Sequence, residues 1–212
     1  MEKEEKGERR IMPSGRFGLY YWGPISYYAQ LIRYSKLNLE GHDSYVKQSY
    51  RNRCYIDSPN GELLLNIPID HQHKGKMLET RYNSRDHWQQ KHWQALLTSY
   101  NSSPFFDALA PELQAFYKRD YPSLAALNFE TTKIILQWLR YDGSFSLSKS
   151  YDLNPQEEDD HRDAFDAKRR DQKKIARYVQ VFDHKTGFKP ELSILDLIFN
   201  EGPATWDYLQ QL

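Results

Sequence analysis

The chain has a single cysteine, Cys54, among 212 residues. That excludes an internal disulfide and a cysteine-based zinc knuckle, and it suits a reducing compartment. No apolar run approaches the roughly 20 residues a bilayer-crossing helix needs. The first ten residues, MEKEEKGERR, are mostly charged and carry no segment of signal-peptide type. Membrane insertion and export are therefore not expected, and a cytoplasmic location is. Charge of one sign is also lacking: 29 Lys and Arg balance 29 Asp and Glu. No overall field draws in nucleic acid or an anionic membrane surface. The phosphate loop, G-x-G-x-x-G, G-x-S-x-G and H-E-x-x-H are all missing, so no cofactor is expected from motif.

Aromatic residues are abundant: 16 Tyr, 10 Phe and 5 Trp. Many stand beside charged residues, and Tyr and Trp can line a half-wet cleft or a partner surface as readily as a core. The length suits one domain with one hydrophobic core. Residues 1–13 read as a disordered charged tail and 14–212 as a single α/β domain. Arg16 to Trp22 (RFGLYYW) reads as a buried strand stopped by Gly23-Pro24, Ile25 to Tyr34 as a helix, and Lys36 to Glu40 as a second strand. A short strand-helix-strand unit makes the two strands parallel. Residues 51–69, with a Ser58-Pro59-Asn60-Gly61 turn, read as a β-hairpin, and a short strand is expected near Leu78 to Tyr82. Helical stripes follow over Asp86 to Tyr100, Phe105 to Tyr117 and Ser123 to Leu139. The expected fold is thus a small mixed sheet with a mostly helical second half packed on it. Pro155 to Lys174 grades from acidic to basic and reads as a solvated, mobile connection. Patterned segments then resume and end in a short helix after Glu201-Gly202-Pro203.

In open α/β sheets ligands collect beyond the carboxyl ends of the parallel strands. That rim is expected to hold Tyr21, Trp22 and Gly23 after the first strand, and Glu40, Gly41 and His42 after the second. The stretch Lys47 to Arg53 (KQSYRNR) follows directly. Lys47, Arg51 and Arg53 suit phosphate or carboxylate oxygens, Ser49 and Asn52 neutral hydrogen bonds, and Tyr50 a flat stacking surface. The same residues also suit a charged hairpin face whose Arg stems cover apolar surface. His87 and His92 are five apart, about 140° around a helix, and share no face. His71 and His73 could point one way on a strand, but no acids cluster with them and no metal site is expected. His92 is the candidate acid-base group, against the alternative of a hydrogen-bonded histidine on a packed helix. Cys54 beside Arg53 could be a lowered-pKa thiol, but a buried strand cysteine is the simpler reading.

Four segments together resemble the WbqC-like protein family: YYWGPISYYAQLIRY, SYRNRC, the Pro-Asn-Gly turn with LLLNIPI, and the W-x-x-x-H spacing of Trp88 and His92. The closing GFKPELSILDLIFNEGP resembles the C-terminal motif of Bacteroidetes-type members. The resemblance picks out Tyr27, Lys47, Ser49, Arg51, Asn52, Arg53, Trp88 and His92. The sequence departs from the family at Tyr20-Tyr21-Trp22-Gly23-Pro24, where many members carry a Gln-Pro-Tyr strand end. The family takes its name from genes of O-antigen and surface-polysaccharide synthesis. The resemblance carries over no established reaction; with the residues of the rim, the leading reading is a cytoplasmic transferase acting on an anionic small molecule, phosphorylated or nucleotide-sugar in type. Arg51, Arg53 and Lys47 would hold the anion, Tyr50 or Trp22 would stack on a ring, and His92 would move a proton. The alternative is a non-catalytic protein that binds or scaffolds a protein partner.

Overall fold

A computed structural model describes residues 13–70, 72, 75–172 and 175–212. Alternation builds the first strands. In Ser14–Gly18 (β1) and Lys36–Glu40 (β2), Phe17, Leu37 and Leu39 are buried apolar residues, while Arg16, Asn38 and Glu40 occupy the opposite positions. The two strands pair in parallel, Ser14 opposite Lys36 and Gly18 opposite Glu40, around the helix Ile25–Leu31 (α1). Pro24, just before α1, lacks the N–H that a helix start leaves unpaired in any case.

Antiparallel Arg53–Ile56 (β3) and Leu63–Asn66 (β4) form a sheet of their own. Gly61 closes the turn between them with φ +103°, a left-handed backbone that glycine adopts without cost, and its N–H donates to the Ser58 carbonyl at 3.0 Å. The helices Trp88–Tyr100 (α2), Phe106–Tyr117 (α3) and Leu124–Trp138 (α4) follow the expected stripes. The Ser123 hydroxyl caps α4 by accepting from the Ala126 N–H at 3.2 Å. The chain ends in the helices Asp183–Thr186 (α5), Ile194–Glu201 (α6) and Thr205–Gln210 (α7).

Several sequence expectations are corrected. β1 stops at Gly18, not Trp22, because Leu19–Trp22 is drawn into a buried turn in which the Tyr21 N–H donates to the Tyr50 carbonyl. α1 ends at Leu31, three residues early. Near Leu78–Tyr82 there is no strand, only the isolated bridge of Tyr82 to Ile69. Two strands come instead from segments not read as strands. Ser144–Leu147 (β5) adds beside β2 and Asp159–Asp160 (β6) beside β1, so the main sheet runs β5-β2-β1-β6, all parallel. β6 lies inside the segment read as a solvated connection. Residues 158–162 of that segment contact the sheet, and Arg162 is buried. The N-terminal tail up to residue 12, His71 and His73 lie outside the described residues. Among the described residues no helix is long and apolar enough to cross a membrane.

Candidate functional site

The sheet sets one end of β1 level with one end of β2, and the chain leaves both strands there. Three segments meet at this rim. Asn128 on α4 is fully buried, and its side-chain amide donates to the carbonyls of Leu19 at 3.2 Å and Arg51 at 2.8 Å. The Thr131 hydroxyl, one turn on, donates to the Tyr20 carbonyl at 3.2 Å. Residues some thirty positions apart in the sequence are therefore clamped side by side.

The cations of KQSYRNR do not behave alike. Arg51 is buried in an ion pair with Asp43. Ser49 shapes the turn before it: its hydroxyl donates to the Val46 carbonyl at 2.7 Å and accepts the Arg51 N–H at 3.3 Å. Tyr50 is buried against Tyr20 and Tyr55. Asn52 is spent on the hairpin, donating to Asn66 Oδ1 at 3.0 Å and to the Ile67 carbonyl at 2.9 Å. Lys47 is exposed and Arg53 half-buried. Neither forms an ion pair among the described residues, and Arg53 Nε has no hydrogen-bond partner. Tyr27, wholly buried, donates its hydroxyl to the Gly18 carbonyl at 2.8 Å and meets Phe17, Tyr20 and Phe165 edge-on.

His92 lies on α2 in a closed relay. The Trp22 indole N–H donates to the Tyr117 hydroxyl at 2.9 Å, the Tyr117 and Tyr21 hydroxyls are 2.8 Å apart, and the Tyr21 hydroxyl is 2.8 Å from His92 Nδ1. Against the larger effect of burial, the Asn66 backbone carbonyl favours the charged ring. One direction satisfies every member: Trp22 to Tyr117, to Tyr21, to Nδ1, with the imidazole proton on Nε2. Burial lowers the His92 pKa to about 4, so the ring is neutral near pH 7. Trp88, one turn earlier, is buried against Tyr21, His92 and Tyr117. Trp22 holds a left-handed backbone at φ +42° with its side chain fully buried, so packing over-determines its conformation.

Glu40 belongs to a second constellation, on the polar face of the sheet. Its fully buried carboxylate accepts from Arg16 at 2.9 Å, the Ser148 hydroxyl at 2.7 Å and the His42 N–H at 2.8 Å, with Arg162 at 3.7 Å. His42 is further held by the Ser148 carbonyl at 3.2 Å. Arg16 also donates to Glu158 at 2.9 Å, Arg162 pairs with Asp160, and Asn38 reaches both Glu158 oxygens at 3.2 Å. Arg16, Arg162, Glu158 and Asn128 were not among the sequence-derived site residues. A signal for the sheet members was present, because polar residues recur with period two through both strands, whereas parallel strands are ordinarily apolar on both faces.

Cys54 is buried, and burial alone pushes its thiol upward, away from nucleophile behaviour. Among the described residues no group of three His, Cys, Asp or Glu side chains could hold a metal ion.

The profile of the WbqC-like protein family matches residues 20–170, a span that runs from the rim through the hairpin and α2–α4 to the packed acidic segment. The chain belongs to the WbqC-like protein family. This WbqC-like protein is also similar to the uncharacterized protein Rv1507c of Mycobacterium tuberculosis, 26% identical over 225 residues, which is 90% of this chain and 91% of the relative. No solved structure matches it. The matched span includes every sequence-derived site residue and excludes the closing GFKPELSILDLIFNEGP segment.

Proposed function

We propose that this WbqC-like protein binds an anionic small molecule, phosphorylated or nucleotide-activated, at the rim of β1 and β2, and acts as a cytoplasmic transferase in surface-polysaccharide synthesis. The observation that carries the reading is the clamp by Asn128, which sets Leu19 and Arg51 against one side chain. It fixes the chain just before Arg53, and preorganised backbone lowers the entropy lost on binding. Lys47 and Arg53 are the anion contacts, since Arg51 is already neutralised by Asp43. Glu40 and His42 shape the far side of the rim. Tyr27, Tyr50, Trp22 and Trp88 support it from within, and His92 is held below it as a neutral base. The family name supports the pathway, and the closing motif supports a Bacteroidetes-type branch.

The test is a thermal-shift screen against nucleotides, nucleotide-sugars, sugar phosphates and acyl-CoA, repeated on Lys47→Ala and Arg53→Ala. A ligand at about 100 times its dissociation constant adds roughly 2.7 kcal/mol of stability. A shift in the parent that both variants lose names the substrate class. No shift with any class, or shifts indifferent to both substitutions, overturns the reading.

A second reading, a non-catalytic protein-binding role, is favoured by exposed apolar side chains outside the rim. Leu153 is 79% exposed and Val179 72%.

A further inference from the structure

A cleft of about 590 Å³ lies between the start of α3, the end of α4 and the α6–α7 corner, within the size range of small-molecule sites. It is remote in sequence from the rim residues and independent of the function proposed above. Its aromatic surface comes from Phe105, Trp138 and Trp206. Trp22, Trp88 and Trp93 each meet another ring. Among the described residues Phe105, Trp138 and Trp206 meet none, although all three are half-buried. Trp138 is fixed by its indole N–H, which donates to Glu112 at 2.6 Å, so its ring face is the surface it has left to offer. Gly202 makes the wall. A Cβ there would sit 2.6 Å from the Phe105 ring, and φ is +53°, so only glycine lets the backbone close this tightly over that ring.

Two opposite charges share the cleft. Arg140, just past α4, and Asp207 on α7 both line it and both are exposed, yet they form no ion pair with each other or with any other described residue. A ligand that carries both a carboxylate and an ammonium group would satisfy the two at once, with an apolar body against the three rings.

We propose that this cleft binds a free α-amino acid with an aromatic side chain: carboxylate to Arg140, ammonium to Asp207, side chain among Phe105, Trp138 and Trp206. The experiment is isothermal titration of the full chain with L-tryptophan, tryptamine, which lacks the carboxylate, and indole-3-propionate, which lacks the ammonium. L-Tryptophan is expected to bind one to one with a dissociation constant below about 1 mM, and each analogue about tenfold or more weaker. The variants then cross. Arg140→Gln should weaken L-tryptophan about tenfold and leave tryptamine unchanged, and Asp207→Asn should weaken L-tryptophan similarly and leave indole-3-propionate unchanged. Both residues are exposed, so an unchanged melting temperature separates loss of contact from loss of fold. The proposal is overturned by no saturable binding of L-tryptophan, by equal binding of the analogues, or by binding that survives both substitutions.

Discussion

The Tyr21 hydroxyl lies 2.8 Å from His92 Nδ1 and 2.8 Å from the Tyr117 hydroxyl, so a single atom joins the segment after β1 to both α2 and α3. Removing it with Tyr21→Phe strands an imidazole acceptor and a phenol donor in the interior. Each unsatisfied buried group costs about 1–3 kcal/mol. Urea unfolding is expected to show a loss of roughly 2–6 kcal/mol for Tyr21→Phe. An unchanged midpoint would mean the relay carries no stability.

The pH dependence of stability holds two opposed contributions. His92 drops from 6.5 unfolded to about 4 in the fold through burial, so its contribution is fully present above about 6.5 and is lost as pH falls through 4. Asp196 is wholly buried, and burial raises it from 3.8 to about 6, against hydrogen bonds from the Tyr178 and Tyr100 hydroxyls. Its contribution is fully present below 3.8 and is lost as pH rises through 6. The two slopes oppose each other across the same window. Asp196→Asn is expected to steepen the loss of stability on acidification relative to the parent, and His92→Gln to flatten or reverse it. Urea midpoints at pH 4, 5, 6 and 7 decide. Parallel profiles for all three proteins would refute the opposition.

Glu40 balances two buried arginines. Glu40→Ala leaves Arg16 and Arg162 facing a void where the carboxylate was, and removing one partner of a buried ion pair costs about 3–5 kcal/mol. Glu40→Gln keeps the shape and one of the two acceptor oxygens, the one shared by the Ser148 hydroxyl and the His42 N–H or the one facing Arg16, and should cost less. Equal losses for the two variants would show that charge rather than shape matters at this position.

Cys54 should be inert in the folded protein. Burial in β3 both hides the thiol and disfavours its thiolate. Titration with a chromogenic disulfide reagent is expected to find no reaction until denaturant unfolds the chain. Fast reaction under native conditions would contradict the placement.

β2, the hairpin and the three central helices were legible because each repeats a local period against one core, so propensity and packing agree. β1 was read too long. RFGLYYW is apolar throughout, and nothing local says that Tyr21 will bond to Tyr50 and bend the chain after Gly18. β6 was not legible: two aspartates make a poor strand alone, and they form one because Arg162 neutralises Asp160. The rim residues could be proposed together because SYRNR is contiguous. Asn128 could not be, since a lone polar residue inside a helical stripe announces nothing until its two carbonyl partners arrive from elsewhere. A hydrogen-bonded histidine on a packed helix was one of the two readings of His92, but its partner was not legible, because Tyr21 lies 71 residues before it.

The order of strands in the main sheet has a kinetic consequence. β1 finds β2 after one short helix, but its other neighbour, β6, is 142 residues away along the Arg16–Glu158 contact. Non-local pairing is slow to form, so during synthesis β1 waits with one row of backbone N–H and C=O groups bare until most of the chain has emerged. Bare strand edges recruit other chains. A version of this protein ending before Asp159 would therefore keep its helices and hairpin and yet self-associate through β1, and the acidic segment acts as the sheet's own guard against aggregation.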